Sequence, residues 1–280
     1  MTNLKVIVMT DLDGTLLDHA TFQYEDVKSF MTELLDSGIR IILNSSKTQT
    51  ELEYFCNGFG RQLPCISENG AAIHNPESLF DSSANGPNFC QNFGKPVSEL
   101  MRIWTNNISI GLREQCLFLD ETERSVQASC LGLTGESLDR ALTRDYSKPF
   151  VFKGTDSEFK ALQKKANEFQ LSVLRGGRVC NLSALHDKAT SLPAIRDLMH
   201  SRSDEVVIIG VGDSDNDLSM LEAADVACVI PRKNQPPLMV EKNKTCKRVI
   251  YASQVAPLGW QEAVEGAIAF LKTEYRGHNG

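Results

Sequence analysis

Residues 9–18 read MTDLDGTLLD, and the fold turns on why two acids, Asp11 and Asp13, stand one residue apart there. They follow the apolar run Val6-Ile7-Val8-Met9, where a buried strand should be ending. An uninterrupted apolar run marks a strand covered on both faces, as in a parallel sheet. In extended backbone successive side chains alternate, so Asp11 and Asp13 are expected on one side and Leu12 on the other. Two carboxylates held together require a proton, a cation or ordered donors to balance them. The stretch reads as a strand end that carries a site.

The alternation continues outward. Tyr24 to Ser37 places Val27, Phe30, Met31, Leu34 and Leu35 at the spacing of an amphipathic helix, closed by Gly38. Ile39 to Leu43 predicts a strand, Thr48 to Gly58 a helix, and Pro64 to Ser67 a short strand before Glu68-Asn-Gly-Ala-Ala-Ile73. Strand and helix in turn imply a parallel sheet with right-handed crossovers. Between residues 83 and 97 the chain reads SANGPNFCQNFGKP, the composition of a linker. Beyond it come helix patterns at Val97 to Asn107, Ser137 to Arg144 and Glu158 to Gln170. Strand-like runs are expected at Ser125 to Leu133 and on both sides of Arg175-Gly-Gly-Arg178. From Lys188 the alternation resumes: a helix to His200, a strand at Val206 to Ile209, a helix at Asp217 to Ala224, a strand at Asp225 to Ile230 and a helix at Gln261 to Lys272. The fold class is therefore α/β, a Rossmann-like parallel-sheet core over residues 1–84 and 188–280 with an inserted α+β cap over 85–187.

Composition sets the bounds. A chain of 280 residues, 41% hydrophobic and 23% charged, is a soluble globular protein with a sizeable core. A net charge of −7 disfavours a nucleic-acid surface, so an anionic substrate must be met by local cations or a metal. The eight cysteines form no CxxC pair and read as small core residues of a reducing compartment. No targeting pattern or run long enough to span a bilayer is seen, so the expectation is a cytoplasmic enzyme without a membrane partner, monomeric or homodimeric.

Open parallel sheets bind ligands where their strands end, so the residues after each apolar run matter most. They are Asp11-Leu-Asp-Gly-Thr15, Asn44-Ser-Ser-Lys-Thr48 and Gly210-Val-Gly-Asp213-Ser-Asp-Asn-Asp217, with Lys188 opening the helix that leads back to the sheet. Singly, each has an ordinary explanation: a turn, a helix N-cap, a polar loop, a solvated lysine. A calcium loop fails, because its sixth position would be Leu16 or Leu218 and its twelfth Phe22 or Ala224. Their joint placement on one sheet edge is what points to a site.

DLDGT, a strand-end Ser, a Lys before a helix, and GDSDND, in that order, resemble the four motifs of the haloacid dehalogenase superfamily of phosphotransferases. With the insert between the second and third motifs, the chain is similar to the α/β-capped branch that holds sugar-phosphate phosphatases and phosphomannomutase. SENGAAI (67–73), LGLTG (131–135), RDYSKPF (144–150) and RGGR (175–178) resemble stretches of mannosyl-3-phosphoglycerate phosphatases. The chain departs at Asn181-Leu182, where that family tends to carry a His.

The resemblance and the residue chemistry give the same roles. Phosphate monoesters hydrolyse very slowly unaided, so a site must supply a nucleophile, charge neutralisation and a proton donor. Asp11 is the expected nucleophile, forming an aspartyl-phosphate, and Asp13 the acid and then base. Mg2+ would be held by Asp11, the Asp13 carbonyl and Asp213, with Asp217 bracing or joining them. Ser45, the Ser46 N–H, Lys188 and Asn216 would hold phosphoryl oxygens. Arg144, Lys148, Arg175 and Arg178 are the candidate substrate-binding cations of the cap, and Glu68 and Asn69 would reach sugar hydroxyls from the core. The small-molecule substrate is expected to be mannosyl-3-phosphoglycerate. A phosphomutase, a broad sugar-phosphate phosphatase and a non-catalytic sugar-phosphate sensor remain the alternatives.

Overall fold

The computed structural model describes residues 3–79, 91–176, 178–200, 204–236 and 238–276. Of the expected linker at 83–97, residues 83–90 and the boundary at 84/85 lie outside the described residues, while Gln91 and Asn92 form an edge strand of the larger sheet.

The larger sheet is built on β1 (Asn3–Thr10), which pairs in parallel with β10 (Asp204–Gly212) on one side and β2 (Arg40–Asn44) on the other. Outward from β10 come β11 (Val226–Val229) and β12 (Arg248–Tyr251); outward from β2 come β3 (Cys65–Ser67), β4 (Ala72–His74) and β5 (Gln91–Asn92). The order is β12-β11-β10-β1-β2-β3-β4-β5, parallel up to β3 and antiparallel beyond it.

Both faces of β1 are buried, as its apolar run demands. Val8 packs with α1 (Glu25–Asp36), α2 (Gln49–Phe59) and α10 (Leu258–Arg276), while Ile7 and Met9 pack with α8 (Leu192–His200) and α9 (Leu218–Ala223). This parity directs the chemistry. An odd-numbered residue at the end of β1 turns toward the loops that open α8 and α9, and Asp11 is that residue.

A smaller antiparallel sheet lies between β5 and α8 in the chain, in the order β6 (Cys116–Phe118), β7 (Ser147–Phe152), β9 (Cys180–Ala184), β8 (Leu171–Arg175). Its own core forms on one face, where α3 (Val97–Asn107) and α7 (Asp156–Glu168) bring Leu100, Trp104, Phe159 and Leu162 onto Phe118, Phe150 and Leu182. The short helices α4 (Ile110–Arg113), α5 (Arg124–Leu131) and α6 (Gly135–Leu142) complete it. The run at 125–133, expected as a strand, is the helix α5. Its Val and Leu outweighed the Gln and Ala between them in the sequence reading, and Gly132 at φ +67° ends it as a left-handed cap. The short strands β6, β7 and β12 were not foreseen. No helix among the described residues is long and apolar enough to cross a membrane, and the described cysteines are unpaired thiols.

Trp260 of α10 is fully buried, and its indole N–H donates to Thr10 Oγ1 at 2.9 Å; that hydroxyl donates to the Asp11 carbonyl at 2.7 Å. Replacing Trp260 by Ala is expected to cost about 3–5 kcal/mol in urea unfolding. Trp260→Phe should cost about 1 kcal/mol, the worth of the lost hydrogen bond.

Candidate active site

Two strand ends converge on one buried ammonium, and a third holds its backbone. Lys188 Nζ lies 2.5 Å from Asp11 Oδ1 and 2.5 Å from Asp217 Oδ1, with no exposure to solvent. Its carbonyl accepts from Asn44 Nδ2 at 2.7 Å, which fixes the loop against the end of β2. Asp217 is held by the turn it belongs to: its Oδ2 accepts from the N–H groups of Asp213 and Ser214, each at 3.0 Å. Asp213 accepts from Thr15 Oγ1 at 2.9 Å, and Arg232 Nε stands 3.8 Å from its other oxygen.

Ligand oxygens of Asp11, Asp213 and Asp217 all lie within 4.8 Å of one another, and all three residues are buried. Burial, reinforced by Asp217 and Asp213 and opposed by Lys188, pushes the Asp11 carboxyl up to about 8. Burial and Asp217 likewise push Asp213 up to about 6, against the pull of Thr15 and Lys188. Burial disfavours the charge on Lys188, yet Asp11 and Asp217 outweigh it and hold its pKa above that of a free lysine. One ammonium does not balance three buried carboxylates. Oxygen donors at this separation, short of positive charge, fit a hard divalent cation.

Asp13 departs from the sequence reading. The strand ends at Thr10, and the chain turns at Gly14, φ +87°, whose N–H donates to the Leu17 carbonyl at 2.9 Å. The alternation that would set Asp13 beside Asp11 therefore stops short of it. Asp13 Oδ2 pairs instead with Lys47 Nζ at 2.8 Å, and Asp13 Oδ1 is buried with no partner. Its carboxylate is outside the cluster formed by Asp11, Asp213 and Asp217. Nothing in the sequence sets Lys47 apart, yet it also stands 3.9 Å from Glu51 Oε1. Burial works against its charge, but Asp13 and Glu51 raise its pKa.

The β2 loop is knitted into the same edge. Ser45 is buried, with its N–H donating to the Ile66 carbonyl at 3.0 Å and its carbonyl accepting from the Asn69 N–H at 2.9 Å. Ser46 is half-buried, and its carbonyl accepts from Arg144 at 3.3 Å. Thr48 caps α2 and also donates to the Arg140 carbonyl of α6 at 2.8 Å. Asn216 donates to Asn69 Oδ1 at 3.2 Å, joining the acidic turn to the loop after β3.

Glu68 does something other than reach for sugar hydroxyls. Its buried carboxylate accepts from the N–H of Asp145 at 2.9 Å, from the N–H of Tyr146 and from the Ser147 hydroxyl, clamping the start of β7 to the larger sheet. Arg144 approaches the same carboxylate at 3.9 Å and donates to Ser147 Oγ at 3.0 Å. Of the four cap cations, Arg144 alone touches the core loops. Lys148 alternates with Ser147, so it points to the helix-covered face, over Phe118 and between Asp120 and Glu121 at 3.0 and 3.3 Å. Arg175 lies over Phe159 on that face and pairs with Asp156 at 2.8 Å. Arg178 donates to the Leu131 carbonyl at the end of α5. Lys148 and Arg175 are thus engaged by acids of the helix-covered face, and Arg178 by a backbone carbonyl.

Residues 8–92 match the haloacid dehalogenase-like hydrolase family. A glucosyl-3-phosphoglycerate/mannosyl-3-phosphoglycerate phosphatase of Methanococcoides burtonii is 27% identical over 270 residues, covering 93% of this chain and 96% of that protein. A protein of the same name from Persephonella marina is 25% identical over 273 residues, covering 92% and 96%. Among solved structures, a Thermoplasma acidophilum protein has a TM-score of 0.61 at 13% identity over 96% of this chain and 99% of that one. A haloacid dehalogenase-like hydrolase from Bacteroides thetaiotaomicron has a TM-score of 0.59 at 18% identity over 96% and 100%. Over residues 8–92 the chain is thus similar to haloacid dehalogenase-like hydrolases, and the names of the two relatives support the enzyme class of phosphoric monoester hydrolases.

Two substitutions probe the assembly. Lys188→Met leaves two buried carboxylates without their counter-ion and is expected to lower stability by about 3–5 kcal/mol in denaturant titration. A Cβ at Gly70, φ +99°, would stand 1.9 Å from the Asp187 carbonyl, so Gly70→Ala should displace the Lys188 loop and lower both melting temperature and activity.

Proposed function

We propose that the chain is a magnesium-dependent phosphatase that hydrolyses a glycosyl-3-phosphoglycerate, with mannosyl-3-phosphoglycerate the first candidate, through a phosphorylated Asp11. The observation that carries this reading is the cluster of three buried carboxylates around Lys188 at the ends of β1 and β10. The names of the two curated relatives support the substrate class.

Asp11, Asp213 and Asp217, with the Asp13 carbonyl, would hold Mg2+, which when bound neutralises the carboxylates and orients the phosphoryl group. Asp11 supplies the attacking oxygen: its bond to phosphorus forms as the ester bond breaks. Asp13 gives its proton to the leaving oxygen, then takes one from the water that cleaves the aspartyl-phosphate, returning Asp11 and releasing phosphate. Lys47 orients the Asp13 carboxylate for both steps. Lys188 stands where its charge meets the phosphoryl oxygens, and Ser45 and the Ser46 N–H close the same cradle. Arg144, anchored by Glu68 and Ser147 beside the Ser46 carbonyl, is placed to meet the glycerate carboxylate. The proposed division into a core of residues 1–84 and 188–280 and a cap of 85–187 is supported by the separate hydrophobic cores of the two sheets.

Phosphate release from mannosyl- and glucosyl-3-phosphoglycerate and from hexose monophosphates, with Mg2+ and again after chelation, tests the reading. Turnover that survives chelation, or product in which phosphate has moved to another hydroxyl without release, would refute it. Asp11→Asn should lower kcat by about a thousandfold or more with the melting temperature kept. Mg2+ should raise the melting temperature of the unmodified protein, and less so that of Asp213→Asn.

A further inference from the structure

Asp213 presents its two oxygens to different groups. Oδ1 accepts from Thr15 Oγ1 at 2.9 Å, while Oδ2 is faced by Arg232 Nε at 3.8 Å. Elsewhere in the cluster Lys188 takes Asp11 Oδ1 and Asp217 Oδ1, and the N–H groups of Asp213 and Ser214 take Asp217 Oδ2. Asp213 Oδ2 is thus an oxygen that a bound cation would use, and a guanidinium already faces it.

The fold puts Arg232 there. β11 ends against β10 with Val229 opposite Gly212, and the Ile230 N–H donates to the Gly212 carbonyl at 2.9 Å, directly before Asp213. Pro231 has no N–H to continue the ladder, so the chain leaves the sheet at that point. A turn follows, in which Asn234 adopts φ +60° and the Gln235 N–H donates to the Arg232 carbonyl at 3.4 Å. The backbone of Gly14 closes another side of the carboxylate, since a Cβ there would stand 3.0 Å from Oδ2. The Asp213 side chain is 4% exposed and that of Arg232 30%, so the guanidinium lies between the buried cluster and water.

Charge makes the two cations alternatives. Lys188 offsets one of the three clustered carboxylates, and Asp13 is already paired with Lys47. A guanidinium offsets part of the negative charge that remains, and a dication offsets all of it. Both cannot sit against one oxygen without repelling each other in a place poor in water. The guanidinium is the one that yields, because its long side chain can turn its head into solvent while the carboxylates stay fixed.

We propose that Arg232 and Mg2+ compete for Asp213 Oδ2, and that Arg232 thereby sets the magnesium affinity of the site. Arg232 is a positioning residue in this scheme: it holds the carboxylate in place until the ion displaces it. Removing it leaves a buried charge uncompensated without the ion and costs nothing once the ion is bound. This inference rests on the magnesium reading above.

MgCl2 binding to the full-length protein is measured by calorimetry in phosphate-free buffer, and melting temperatures are taken after chelation and at saturating Mg2+. Arg232→Gln should bind Mg2+ about threefold or more tighter than the unmodified protein, within the reach of a partly exposed ion pair. Its melting temperature should be lower after chelation and should return to that of the unmodified protein when Mg2+ saturates. Arg232→Lys keeps the charge and should keep Mg2+ affinity within about twofold. Mg2+ binding by Arg232→Gln that is unchanged or weaker, or a loss of melting temperature that is the same with and without the ion, would overturn the role of Arg232 alone. So would a lysine variant that binds as tightly as the glutamine one. An unmodified protein that takes up no Mg2+ at millimolar concentration would overturn the magnesium reading and this inference together.

Discussion

The buried contact of Lys188 with Asp11 and Asp217 is the constraint from which the rest of the site follows. A lysine ammonium without water is tolerable only if carboxylates surround it, and carboxylates so placed are tolerable only beside a cation. Each partner thus fixes the other two, and the three chain segments that carry them must end at one point. The apolar strands β1 and β10 bring Asp11 and Asp213 to the same height by their parallel register, Thr10 opposite Val211. Asn44 then holds the Lys188 loop from the neighbouring strand. The geometry gathers an excess of negative charge at a place where water is scarce, the arrangement a hard divalent cation would balance.

A second polar joint ties this site to the smaller sheet. Glu68, at φ +49°, turns the chain after β3 so that its carboxylate leaves the larger sheet and accepts from the N–H groups of Asp145 and Tyr146, just before β7. His186 Nε2, 3.0 Å from the Glu68 carbonyl, closes the joint from the other connection. The segment before β7 and the crossing back to the larger sheet therefore meet at Glu68, while the first crossing is held by the Ala71 carbonyl, which accepts from the Phe93 N–H at 2.7 Å. The arrangement sets the start of β7 beside the loop of Ser45 and Ser46 instead of leaving it to swing freely.

Much of this was legible in the sequence, and what was not has physical reasons. Strands buried on both faces announce themselves as apolar runs, so Asp11, Asp213 and Lys188 stood out as the polar residues next in line. Asp13 was placed beside Asp11 by an alternation that holds only in extended backbone, which the turn at Gly14 ends. Lys47 looked like any loop lysine, because nothing local says that it folds back onto Asp13. The partners of the cap cations were hidden for a different reason. Whether Lys148 or Ser147 looks toward the substrate depends on the pairing register of β7 and β9, a long-range fact that composition does not carry. Arg175 and Arg178 flank a turn and looked free, yet Asp156 and the Leu131 carbonyl, distant in sequence, claim them.

Lys188 and Asp11 are 177 residues apart in the chain, and an entire antiparallel sheet is threaded between them. Such a contact is reached late, since closing a long loop costs entropy before any bond repays it. A growing polypeptide that has made β1 and β2 but not yet β10 has an exposed apolar edge and lacks the carboxylates of Asp213 and Asp217. Competence for chemistry thus coincides with completion of the central strand pair. A half-made chain is inert toward phosphate esters, and during synthesis its bare β1 edge is what a chaperone would have to shield.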